Sequence, residues 1–183
     1  EEYTRPARIL QDGNIIMVPA LSEKIEILHD ELGNLEGWIT DGLRSLVENI
    51  PCKNMKEYTL RWPGHIEKWL SCKEDYDLQE LLGEWKFDPE VKEFTWLRVE
   101  ASGNGSTIVW DVFDKGADDG SSMSRTTGLV TTATLVYLLE VNEQIEPGVF
   151  APEHTSPQLR AFVQEYLLNH GVEILRQNLT ISG

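Results

Sequence analysis

The stretch EFTWLRVEASGNGSTIVWDVFD, residues 93–114, decides the fold. Two runs rich in β-branched and aromatic residues flank a short turn that contains Asn104-Gly105, and Asn-Gly between such runs is the strongest local hairpin signal. Antiparallel pairing is therefore part of the architecture. Upstream, NIIMVPAL (14–21) and IEIL (25–28) read as strands, as do LEGWIT (35–40) and the alternating MKEYTLRW (55–62).

Helical signals are interleaved with these runs. Asp41 stands where an N-cap belongs, and Leu43, Leu46, Val47 and Ile50 then follow the spacing of one helix face until Pro51. Pro63 suits the first turn of a second helix with Ile66, Trp69 and Leu70 on its apolar stripe. DLQELLGEW (77–85) reads as a short helix. RTTGLVTTATLVYLLE (125–140) has no charge between its ends and is too short to span a bilayer, which takes roughly 20 apolar residues. A helix buried on both sides is the expectation. Ser156 and Pro157 open a last helix with Leu159, Phe162, Val163 and Leu167 on one face, and Gly171 closes it before the strand VEIL (172–175). Helices and antiparallel strands in this order predict a single α+β domain over 1–183, its sheet mixed but largely antiparallel, with helices packed on one face.

Composition narrows the function. In 183 residues, 31 acidic side chains against 16 basic ones give a net charge of −15, which opposes binding to nucleic acid or to anionic membrane surfaces. Cys52 and Cys72 lie in no CxxC and read as reduced thiols, so a cytoplasmic location is expected. The chain opens at Glu1-Glu2 without a methionine, which fits a piece of a longer chain, and no signal-peptide run lies nearby. His29, His65, His154 and His170 share no metal-ligand spacing. There is no GxSxG, Walker or GxGxxG motif, so the chain has no dinucleotide fingerprint of its own.

YTLRWPGHIEKW (58–69) carries the most chemistry. Arg61 would place a planar cation at a strand end, beside the free N–H groups of a helix start, and such a place suits a carboxylate. The plainer reading is a surface ion pair with one of the many acidic residues. His65 could donate a proton near neutral pH, or be an ordinary half-buried polar residue. Thr126 and Thr127 of SRTTG (124–128) could cap the long helix or face a polar ligand. Trp69, Trp96 and Trp110 are read as core packing.

Four segments in order, TDGLRSL (40–46), TLRWPGH (59–65), SRTTG (124–128) and GVFAPE (148–153), resemble the C-terminal domain of the saccharopine dehydrogenase family. The likeness runs from PARILQDG near the start to NHGVEIL near the end. The family includes saccharopine dehydrogenases, lysine 6-dehydrogenases and carboxynorspermidine synthases. It implies a substrate-binding and dimerisation domain of an enzyme of lysine metabolism, working with an N-terminal Rossmann domain that this chain lacks and that binds NAD or NADP. A hydride would pass between the nicotinamide and a carbon bearing nitrogen in a small amino-acid substrate. By the family pattern Arg61 holds a substrate carboxylate, Asp41 and Arg44 line the same cleft, Thr126 and Thr127 lie near it, and His65 is the candidate proton donor. TDGLRSL looks more like the lysine 6-dehydrogenase branch, while Trp62 replaces the tyrosine usual in TLRWPGH. The resemblance also implies a homodimer formed through the sheet or its edge. The alternative is a ligand-binding or assembly module that keeps the fold without the reaction.

Overall fold

The computed structural model describes residues 2–72, 74, 77–86, 88, 90, 91, 93–140 and 148–180. The chain folds into two compact units, Glu1–Lys86 and Phe87–Gly183. Among the described residues there are eight strands in three antiparallel sheets and five α-helices, so the fold is α+β with every named strand pair antiparallel.

The first unit opens with β1 (Ala7–Gln11) and β2 (Asn14–Val18), joined through Asp12 and Gly13 at φ of +50° and +79°. Two consecutive left-handed residues twist a two-residue loop to match its strands, and Asp-Gly supplies them. β3 (Lys24–His29), β4 (Gly33–Ile39) and β5 (Tyr58–Arg61) form a second sheet with β4 in the middle. Trp38, Leu35 and Ile39 of the central strand are almost wholly buried, and Ile39 packs with Ala7 and Ile9 of β1.

The helix expected after Asp41 shrinks to α1 (Leu46–Asn49), and the residue before it is Ser45. Asp41 does not cap it. Arg44 takes a left-handed φ of +51°, which interrupts the turn that Leu43 would have begun, although Leu43 and Val47 still reach the core. The next helix, α2 (His65–Cys72), follows Pro63 and a left-handed Gly64 at φ +98°, and it buries Ile66. In α3 (Leu78–Glu84), the Asp77 carboxylate accepts from the N–H groups of Gln79 and Glu80 at 2.7 and 3.3 Å.

In the second unit, β6 (Thr95–Gly103) and β7 (Ser106–Asp114) form the expected hairpin, with Asn104 and Gly105 at φ +51° and +76°. β8 (Glu173–Thr180) completes the sheet beside β7. Helices α4 (Ser122–Glu140) and α5 (Pro157–Asn169) pack on each other, and α4 touches β6 while α5 touches β8. Val109 and Phe113 of β7 are buried on one face, while on the other Leu97 and Val99 of β6 are about half exposed. Ser156 caps α5 by accepting from Leu159 N at 3.1 Å, with Pro157 at its first position.

The long helix differs from the expectation. Only Ser122, Arg125, Ala133 and Tyr137 of α4 are buried, along one stripe, while Met123, Leu135 and Leu139 are largely exposed. Three of its five threonines bond within the helix: Thr126, Thr131 and Thr134 donate to the carbonyls of Ser122, Thr127 and Val130. A helix with no charge between Arg125 and Glu140 can thus lie at a surface without stranding these hydroxyls. The N-terminus of α4 is held by Glu93, whose carboxylate accepts from the Ser122 N–H at 2.5 Å and from its hydroxyl, so neither Thr126 nor Thr127 is the cap.

Candidate functional site

A polar cleft of about 230 Å³ opens in the first unit, lined by Glu2, Arg5, Thr40, Asp41, Gly42, Arg44, Glu57 and Thr59. It collects the end of β4, the bend before α1 and the approach to β5. Four residues of TDGLRSL, Thr40, Asp41, Gly42 and Arg44, therefore line one concavity.

Asp41 is nearly buried and held by two arginines. Its carboxylate accepts from the Arg8 backbone N–H at 3.2 Å and Arg8 Nε at 3.0 Å, and Arg5 approaches at 3.3 Å. Burial works against the charge, but the Arg8 hydrogen bonds and both guanidinium charges outweigh it and hold the carboxyl below its ordinary range. The ionised form of Asp41 is therefore favoured.

Arg44 is exposed, and among the described residues it has no hydrogen-bond or ion-pair partner. Its left-handed backbone costs a side chain with a β-carbon about 1 kcal/mol. Glu57 is anchored by one oxygen only: Oε2 accepts from the Gly42 N–H at 3.0 Å and from the Thr40 hydroxyl, which also lies 2.9 Å from the Thr59 hydroxyl. A β-carbon at Gly42 would stand 2.6 Å from the Glu57 carboxyl, so glycine there is what lets the carboxylate approach the backbone. Sequence reasoning passed over Glu57. The signal was its place two residues before Thr59 on an alternating run, which puts both on one face.

Arg61 and His65 lie in a neighbouring cluster and are engaged with their own chain. Arg61 pairs with Glu2 at 3.1 Å, donates to the Leu60 carbonyl at 2.9 Å and sits 5.9 Å from the Trp38 ring centre. Glu2 also lines the cleft, so it is the link between the two groups. The N-terminus of α2, read as a seat for a ligand carboxylate, receives Glu36: its Oε1 accepts from Ile66 N at 2.9 Å.

His65 Nδ1 and the Tyr3 hydroxyl are 3.1 Å apart, and His65 stands against Trp85. Tyr3 stacks on Trp38 at 4.6 Å and also meets Trp69 and Trp85. Burial pushes the Tyr3 hydroxyl up to about 12, with Glu2 and Glu36 adding to the effect and Arg61 opposing it. Burial likewise lowers His65, assisted by the Arg61 charge against the pull of Glu36. The folded state thus favours the neutral ring. Just below the unfolded value of about 6.5 the unfolded chain binds more protons, so stability is full above that pH and falls as pH drops through the folded value. Thermal melts between about pH 7 and 5 should show this loss in the wild type and a flatter profile in His65→Gln. Parallel profiles would refute it.

Thr126 and Thr127 belong to the second unit, on α4. Thr126 is committed to its own helix, and Thr127 is exposed. The residue of SRTTG with the most partners is Arg125, paired with Asp114 and Asp119 and donating to the His170 carbonyl at 2.5 Å.

Of the tryptophans read as core, Trp96 and Trp110 are half-buried under Arg98 and Arg176, and Trp69 is half-buried in the Tyr3 cluster. Cys52 and Cys72 are free thiols. Among the described residues no cluster of three or more metal-ligating side chains occurs, and no helix is long and apolar enough to cross a membrane. No family model matches the chain.

Proposed function

We propose that this chain is the substrate-binding part of an NAD- or NADP-dependent oxidoreductase that acts on the carbon–nitrogen bond of an amino acid of the lysine or saccharopine type. The observation that carries the reading is the cleft, which gathers Asp41 and Arg44 from the first of the four ordered motifs and presents both signs of charge. At about 230 Å³ it falls below the ~300–1,000 Å³ of pockets for drug-sized ligands, a size for a small polar metabolite and not for a dinucleotide. Arg61 adjoins the cleft through Glu2, and it could hold a substrate carboxylate only if Glu2 gave way.

The described residues do not fit the cofactor. Their glycine-rich turn, at Asn104-Gly105, closes a hairpin and does not lead from a strand into a helix. The reading therefore gives NAD or NADP, which would exchange the hydride, to a partner domain, and the cleft has the task of binding and orienting the substrate.

A second reading, an assembly module without the reaction, rests on the outer face of the β6–β7–β8 sheet. There Leu97 and Val99, about half exposed, neighbour Val112, Trp110 and Ile174 across the strands. One experiment separates the two. The product of the complete gene should change nicotinamide absorbance with L-lysine or saccharopine. A product that forms dimers by light scattering but turns over neither substrate overturns the first reading and favours the second.

A further inference from the structure

The charges that line the cleft do not cancel evenly. Asp41 is matched by Arg5 and Arg8, and Glu2 by Arg61. What remains is the guanidinium of Arg44 and the second oxygen of Glu57, Oε1, for which the structure shows no hydrogen-bond partner among the described residues. They line the same small cleft and do not pair with each other. A small ligand that complements both carries an anion and a cation.

We infer that the cleft takes the head group of a free α-amino acid, with Arg44 holding the carboxylate and Glu57 holding the ammonium. This rests on the amino-acid reading above and adds to it the two residues that select the ligand. A guanidinium offers a carboxylate two parallel N–H donors, and an ammonium seeks a carboxylate acceptor. Glu57 can serve because its other oxygen is fixed by the Gly42 N–H and the Thr40 hydroxyl, so the carboxylate is oriented before the ligand arrives. The Thr59 hydroxyl, 2.9 Å from that of Thr40, steadies it. Gly42 makes the arrangement possible, since any β-carbon would push the Glu57 carboxyl away.

Calorimetric titration of the chain at low salt tests this with three probes: L-lysine, 1,5-diaminopentane, which lacks the carboxylate, and glutarate, which lacks the ammonium. L-Lysine should bind at least about tenfold more tightly than either of the others, the loss expected for one charge-assisted contact. Arg44→Gln should weaken L-lysine by about tenfold or more and leave the diamine unchanged. Glu57→Gln should weaken L-lysine and the diamine but not glutarate. Gly42→Ala, which displaces Glu57 without removing its charge, should reproduce the Glu57→Gln pattern, and circular dichroism will show that each variant is folded. Glutarate binding as tightly as L-lysine, unaltered L-lysine affinity in both charge variants, or no heat from any probe would each overturn the inference. Its failure is distinguishable from that of the oxidoreductase reading. Turnover by the complete gene product, undiminished in Arg44→Gln and Glu57→Gln, removes this assignment alone; zwitterion binding without turnover removes the oxidoreductase alone.

Discussion

Arg125→Ala should destabilise the second unit by about 3 kcal/mol, the low end of the cost of deleting one partner of a buried ion pair. Arg125 and Asp114 have only 5% and 4% of their side chains exposed, at a 3.1 Å contact. Burial opposes the charge on Arg125, but hydrogen bonds to Asp114 and Asp119 outweigh it and hold the guanidinium more firmly protonated than usual. The same side chain donates to the His170 carbonyl, so it ties the start of α4 to the end of β7 and to the cap of α5. Removing it strands the Asp114 carboxylate, whose remaining donor among the described residues is the Gly116 N–H at 3.2 Å. Asp119, more than half exposed, loses little because water can replace the arginine. Hydrogen exchange of peptides covering residues 106–114 reads the effect locally: β7 amides should lose protection in Arg125→Ala. If the deficit comes from the stranded carboxylate, the double variant Arg125→Met with Asp114→Leu should recover most of it. Recovery of nothing would mean that the arginine acts through packing alone.

Arg125 also shows where sequence reading stops. SRTTG drew attention to its two threonines because hydroxyls near a helix start suggest caps or ligand contacts. Thr126 proves to bond a carbonyl one turn back, a local matter, and Thr127 is exposed, whereas the arginine between Ser124 and Thr126 finds Asp114 on a strand. Asp41 is the same case in reverse. Its position suits an N-cap, but its partners are the backbone and side chain of Arg8, 33 residues away, and such a pairing has no local spacing to betray it. Features settled within a few residues were legible: the Asn104-Gly105 hairpin, Asp77 before α3, and Ser156-Pro157 at α5. The Asp12-Gly13 hairpin carries an equally plain signal, and β1 escapes notice only when the strand after it is read alone. The exposure of α4 was not legible, because periodicity shows a buried side only when the other side is polar. In the cleft, Asp41 and Arg44 could be suspected from a motif. For Glu57 the alternation gave only the face it shares with Thr59; its anchoring depends on a hydrogen bond from Gly42, 15 residues earlier.

Trp38→Ala should cost the first unit about 3–5 kcal/mol, the range for truncating a large buried aromatic. Trp38 is 0% exposed near the end of the middle strand; Tyr3 stacks on it and the Arg61 guanidinium lies 5.9 Å from its ring centre. Its loss leaves a cavity and releases Tyr3, and with Tyr3 goes the contact to His65. Trp38→Phe should behave very differently. The indole Nε1 is buried and finds no acceptor among the described residues, a defect worth about 1–3 kcal/mol. Phenylalanine removes that donor and keeps a ring for Tyr3, so its smaller volume is partly offset and the net cost should be less than half that of alanine. Proton NMR of the His65 ring separates the two effects. In Trp38→Phe its titration should stay depressed, because Tyr3 and Trp85 still bury it; in Trp38→Ala it should move back toward the ordinary value. Equal destabilisation by both substitutions would show that the indole N–H contributes more to the fold than an unpaired donor can. His65 titrating identically in both would sever the tie between Trp38 and the cluster at the start of α2.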